Sequence, residues 1–112
     1  MPKYRIIVDL SAFRLYLLDG DVVVREFPVG IGTAATTTPQ GEFLIVNKQP
    51  NPGGAFGVYW LGLSKRHYGI HGTNNPTTIG KRVSHGCIRM YNQDVILLAK
   101  LVPLGTHVTI RS

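Results

Sequence analysis

Residues 69–90 read GIHGTNNPTTIGKRVSHGCIRM. The run Tyr68–His71 is strand-like, but from residue 72 to residue 86 apolar periodicity disappears and three Gly and one Pro fall. Such a stretch reads as a long loop, and long loops in compact domains are often functional. His71 stands at its mouth and Cys87 at its end, so the two ends of the loop can meet in space.

Outward from this loop, most of the chain reads as strand. Tyr4, Ile6, Val8 and Leu10 alternate with Arg5, Ile7 and Asp9, a period of two. FRLYLL and VVVREF follow, separated by Asp19-Gly20, a hairpin signal between apolar runs. Residues 28–41, PVGIGTAATTTPQG, are rich in Gly, Thr and Pro and read as loop, as does QPNPGGAFG. EFLIVNK, VYWLGLS and the closing THVTIRS read as strands. One helix is expected, from about Gln93 to Leu101, with Asn92 as its cap, Asp94 in its first turn and Pro103 stopping it. Val95, Leu98 and Val102 would form its buried stripe. The expectation is a mainly β sandwich or barrel with one packed helix near the C-terminus and the long loops gathered at one end.

A chain of 112 residues is expected to form a single domain, 1–112, large enough for a core without staples. The formal charge of +6 favours polyanionic surroundings. The cations are scattered, however, with no basic tail and no nucleic-acid motif, so nucleic acid is not an expected partner. No apolar run reaches transmembrane length, and no secretory signal opens the chain. GIGTAA lacks the third Gly and following helix of a phosphate-binding loop.

Cys87 is the only cysteine, so no internal disulfide forms. Most lone cysteines are inert core packing. Cys87 differs in following Ser84-His85-Gly86 at a loop end rather than sitting in an apolar run. Bare backbone N–H groups beside a nucleophile can stabilise an oxyanion, although Gly86 could equally serve a tight turn. A reactive thiol needs a base or a nearby cation. His71 fits from across the loop. His85, two residues before Cys87, could face the same side of extended backbone. His67 lies four before His71 in a stretch that reads as strand, and His107, in the last strand, reads as structural or surface. A metal site is the rival chemistry, with His67, His71, His85 and Cys87 as donors. Yet His-x3-His converges only on a helix, HYGIH is a poor one, and paired CxxC motifs are absent.

GIHGTNNPTTIGKRVSHGCIRMYNQDV resembles the signature of the YkuD-type L,D-transpeptidases. VDLSAFRLYLLDGDVVVREFPVGIGTA, TPQGEFLIVNK and VPLGTHVTI look like the same domain's opening and closing strands, so the resemblance covers nearly the whole chain. It implies an enzyme that cleaves the bond between the L-centre of a diamino acid and the terminal D-Ala of a peptidoglycan tetrapeptide stem. The acyl group passes through a thioester to an amine on a neighbouring stem, giving a 3→3 cross-link. Cys87 would be the nucleophile, His71 the general base, and the N–H groups of Gly86 and Cys87 the oxyanion hole, with His85 shaping it. No cofactor and no metal is implied. Peptidoglycan stems would be the partner, the location would be extracytoplasmic or in the cell wall, and a monomer is expected.

Two positions depart from common family patterns. Several members carry Ser where this chain has Gly72, so a carbonyl there or nearby would have to orient the His71 ring. Many carry Asn where this chain has Arg89, whose guanidinium suits a stem carboxylate but could also be a surface cation. Ser84 is expected to hydrogen-bond the loop. For Tyr59 and Trp60 core packing is favoured over cleft lining. Two other readings are a carboxypeptidase that uses the same Cys87 and His71 with water as acceptor, and a non-catalytic wall-binding domain.

Overall fold

A computed structural model describes residues 3–112; Met1 and Pro2 of the expected 1–112 domain lie outside them. Ten strands run β1 Tyr4–Asp9, β2 Arg14–Asp19, β3 Val22–Pro28, β4 Ile31–Gly32, β5 Gly41–Pro50, β6 Tyr59–Leu63, β7 Gly69–His71, β8 Arg82–Ser84, β9 Ile88–Arg89 and β10 His107–Arg111. One helix, α1, spans Asn92–Leu101. Eight strands form one sheet in the order β3-β2-β1-β10-β5-β6-β7-β9, curled as an open half-barrel with β3 and β9 at its edges. The architecture is the mainly β, one-helix arrangement expected from the sequence.

The period-two pattern of the first strand sets its face. Ile6, Val8 and Leu10 are buried, whereas Arg5 and Asp9 reach ion pairs at the surface. β1 pairs in parallel with β10, matching Ile6 with Val108 and Val8 with Ile110, so two apolar rows become one. The β2–β3 hairpin turns at Gly20, whose φ of +62° few side-chain-bearing residues adopt. One continuous core joins these rows to Leu61, Ile70, Ile88, Met90 and the inner face of α1. Each fully buried Leu or Ile there contributes roughly 1.5–3 kcal/mol.

The helix buries Val95, Leu98 and Ala99 against β6 and β7. Val102 is buried too, but as the residue that ends the helix. Tyr91, not Asn92, occupies the cap position, and no side chain caps the helix. Asn is a favoured cap by chemistry alone, but tertiary partners described below claim this one.

The two long loops hold more structure than their composition suggests. Within 28–41, Ile31–Gly32 forms β4, paired in parallel with β8 from the 72–86 loop. The second loop also holds a 3-10 turn at Pro76–Thr78. These strands are two and three residues long, too short to leave a periodic trace. Thr33 N–H and Thr36 Oγ1 both donate to the Ser84 carbonyl, at 3.2 and 2.8 Å, tying the first loop to the second. The loops thus meet at one end, around the thiol.

Candidate active site

The β7–β9 pairing builds the site. These strands run parallel with Ile70 beside Ile88 and His71 beside Arg89. Neighbours in register share a face, and residues two apart on one strand share it as well. Ile70 and Ile88 therefore point into the core, where both are buried, while His71, Arg89 and Cys87 turn to the other face. There they line a cleft of about 420 Å³ together with Phe56, Trp60, Arg66, His67, Tyr68, Ser84 and His85.

His71 is only 2% exposed. Its Nδ1 is hydrogen-bonded to the Gly72 carbonyl, which can only accept, so the proton sits on Nδ1 and Nε2 is the free basic nitrogen. Trp60, its partner on β6, stacks on the imidazole with centroids 5.6 Å apart and planes 16° apart. Phe56 meets the same ring edge-on at 5.0 Å. Burial lowers the imidazole pKa to about 4; the Gly72 bond opposes this, and the Arg89 cation adds to it. At neutral pH His71 is therefore an uncharged base.

Trp60 thus lines the cleft, contrary to the core-packing expectation, whereas half-buried Tyr59 does pack against the core. Period two explains the split, since adjacent residues of β6 face opposite ways. Gly69 makes room for Trp60, because a Cβ there would stand 2.6 Å from its ring.

The frame behind His71 is set by Asn92. Its Oδ1 accepts from Thr73 N–H at 3.0 Å and Val58 N–H at 3.4 Å, and its Nδ2 donates to the Thr73 carbonyl at 3.0 Å. This clamp fixes the peptide after His71, including the Gly72 carbonyl on Nδ1. It also explains the missing side chain at 72, where a Cβ would come within 2.1 Å of Asn92 Oδ1.

Cys87 is partly buried, and burial raises its thiol pKa. A backbone hydrogen bond from Gly69 and the Arg89 charge oppose the rise. The sulfur donates to the His67 carbonyl at 3.6 Å. His67 does not lie in a strand; it sits in the turn between β6 and β7 with φ +73°. A positive φ is uncommon outside glycine, and His is, with Asn and Asp, among the residues that adopt it more readily.

Ser84 stitches the loop on which Cys87 stands. Its Oγ donates to the Cys87 carbonyl at 2.7 Å and accepts from Gly86 N–H at 3.1 Å. Gly86 N–H, expected in the oxyanion hole, is therefore already engaged, which leaves the Cys87 N–H as the better candidate. Gly86 has φ +116°, and a Cβ there would lie 2.5 Å from the Tyr68 ring. His85 is exposed on the rim of the cleft.

Arg89 stands beside His71, and its Nε is buried with no hydrogen-bond partner. Among the described residues no ion pair includes it. Nor do three or more His, Cys, Asp or Glu side chains among them converge on a metal position.

A thiol, a neutral imidazole oriented by a carbonyl, and an unpaired guanidinium on one face of a curled sheet define a site suited to thiol-mediated acyl transfer. The sequence profile of the L,D-transpeptidase catalytic domain (YkuD) matches residues 3–110, and the chain belongs to this family. It is 61% identical to the Bacillus licheniformis protein assigned as L,D-transpeptidase YkuD, over 96% of this chain, and 59% identical to the Bacillus subtilis protein of the same name, also over 96%. The chain spans 65% of the length of these two relatives. Its fold is also similar to the crystal structure of an L,D-transpeptidase from Mycobacterium tuberculosis H37Rv, with a TM-score of 0.86 at 19% identity, covering 99% of this chain and 58% of that one.

Proposed function

We propose that the chain is an L,D-transpeptidase that acts on peptidoglycan tetrapeptide stems through a Cys87 thioester. The observation that carries this reading is the β7–β9 register, which sets His71, Cys87 and Arg89 on one face of one cleft. The thiol is raised and the imidazole lowered, so the resting pair is neutral and proton transfer accompanies attack rather than preceding it.

Cys87 Sγ attacks the carbonyl that joins the diamino acid's L-centre to D-Ala, and its proton passes to His71 Nε2. The carbonyl oxygen becomes an oxyanion held by the Cys87 N–H. As the intermediate collapses, the C–N bond breaks and His71 returns the proton to the leaving D-Ala amine. An amine of a second stem then attacks the thioester, His71 takes its proton, and the sulfur leaves and is reprotonated. Trp60 and Phe56 keep the imidazole in place and shielded from water, while Gly72 and Ser84 orient the ring and the nucleophile's loop. Arg89 takes a carboxylate of the donor stem, because a half-buried guanidinium without a counter-ion favours an anionic ligand. The peptidoglycan substrate implies an extracytoplasmic site of action, and no described helix is long and apolar enough to cross a membrane.

Product analysis tests the reaction. A tetrapeptide stem with an amine acceptor should yield free D-Ala and a cross-linked dimer. Tripeptide and D-Ala alone, at every acceptor concentration, would show that water is the acceptor and replace transfer with carboxypeptidase activity.

A further inference from the structure

The layout of charge bears on which donor the cleft takes. The chain's six carboxylates are Asp9, Asp19, Asp21, Glu26, Glu42 and Asp94. The first four meet Arg111, Lys3, Arg5 and Arg14 on the β1–β3 side of the sheet, and Glu42 accepts from Thr109 Oγ1 at 2.7 Å. Asp94 lies in the first turn of α1. Between Glu42 and Asp94 there is no carboxylate at all, yet Lys48, Lys65, Arg66, Lys81, Arg82 and Arg89 all fall there.

Several of these cations already have partners. Lys48 donates to the Val102 carbonyl at 2.6 Å, Arg82 lies over the Phe13 ring, and Lys65 lies over the Tyr68 ring. Arg66, Lys81 and Arg89 remain. Of these, Arg66 and Arg89 line the cleft and Lys81 does not, and among the described residues neither arginine is in an ion pair.

Arg66 is not on a free arm. Its turn is closed by Leu63 N–H to the Tyr68 carbonyl at 2.9 Å and Tyr68 N–H to the Lys65 carbonyl at 3.2 Å. The next residue is left-handed His67, whose carbonyl touches the Cys87 thiol. Arg66 is thus one residue from an atom in contact with the sulfur, at the exposed mouth of the cleft.

We infer that the cleft selects acyl donors by the free carboxylates that branch from the stem, with Arg89 taking one beside the scissile bond and Arg66 a second, farther out. This rests on the acyl-transfer reading above. Amidation removes the charge and the second acceptor oxygen that a guanidinium fork engages, so amidated stems are the poorer donors.

The test compares two synthetic tetrapeptides that both keep the terminal D-Ala carboxylate, one with its branch carboxylates free and one with them amidated. The readout is kcat/KM for D-Ala release, with Cys87 acylation followed by mass. Wild type should favour the free stem by about fivefold or more. Arg66→Gln should shrink that ratio, chiefly by slowing the free stem. Arg66→Lys should keep most of the ratio, and added salt should reduce it. Equal rates on both stems in wild type, or an equal loss on both in Arg66→Gln, would overturn the selectivity alone. Acylation of neither stem would overturn the acyl-transfer reading on which it rests.

Discussion

Gly72→Ala should be costly, and the cost should vanish in the absence of Asn92. The added Cβ would lie 2.1 Å from Asn92 Oδ1, well inside contact distance, and 3.2 Å from the Val58 nitrogen. The amide must move, and moving it breaks its bonds to Thr73 N–H, Val58 N–H and the Thr73 carbonyl. Thr73 is buried, so its N–H is left without a partner, which costs about 1–3 kcal/mol, and the other two bonds add about 1 kcal/mol between them. Gly72→Ala should therefore destabilise by roughly 2–4 kcal/mol. Asn92→Ala removes the same bonds and should cost about the same. The double variant has already lost the clamp and has room for the methyl group, so it should resemble Asn92→Ala alone, a coupling of about 2 kcal/mol or more. Urea unfolding of the four proteins measures this cycle. Additive costs, or a Gly72→Ala cost below about 0.5 kcal/mol, would refute the argument that Asn92 occupies the space a side chain at 72 would need.

Other consequences follow from titration and from the loop. Because the folded His71 pKa lies near 4, below the ordinary imidazole value of 6.5, the unfolded chain takes up the extra proton first as pH falls. His71's contribution should be fully present above about pH 6.5 and lost by about pH 4, a change of about 3 kcal/mol that His71→Gln should flatten in pH-dependent unfolding. Alkylation of Cys87 by iodoacetamide should lag an ordinary thiol at neutral pH and rise only at more alkaline pH, since burial holds the thiol protonated; a fast, pH-independent reaction at neutral pH would point to a preformed thiolate. Ser84→Ala removes both bonds that tie the Cys87 loop, one of them from the buried Gly86 N–H, and should cost about 1–3 kcal/mol with a larger proportional loss in acylation rate.

Strong periodicity was readable from the sequence, and so was the pairing of ends across the 72–86 loop. Tyr4–Leu10 alternates cleanly because one face of β1 is core and the other solvent. His71 and Cys87 could be singled out because chemistry-bearing residues at the edges of an aperiodic loop are conspicuous. What escaped reading depends on contacts distant in sequence. β4 and β8 exist only because each finds the other. Asn92 looks like a cap until Thr73 and Val58 arrive to bind it. Trp60 was assigned to the core by residue type, whereas its strand register turns it to His71. The charged break SKRH between two apolar strands was the available sign of a turn at Arg66 and His67, and the strand-like reading of HYGIH concealed it. Gly86 N–H could not be known to be engaged before Ser84 was placed beneath it.

The central claim is that Cys87 is a nucleophile activated by His71 in an acyl-transfer cleft. Intact-protein mass after incubation with a carbapenem, a strained acyl donor, tests it most directly on wild type, His71→Gln and Cys87→Ala. A single covalent adduct on wild type, slowed in His71→Gln and absent from Cys87→Ala, is the predicted result. Folded wild-type protein that takes no adduct, or an adduct that survives in Cys87→Ala, would contradict the account.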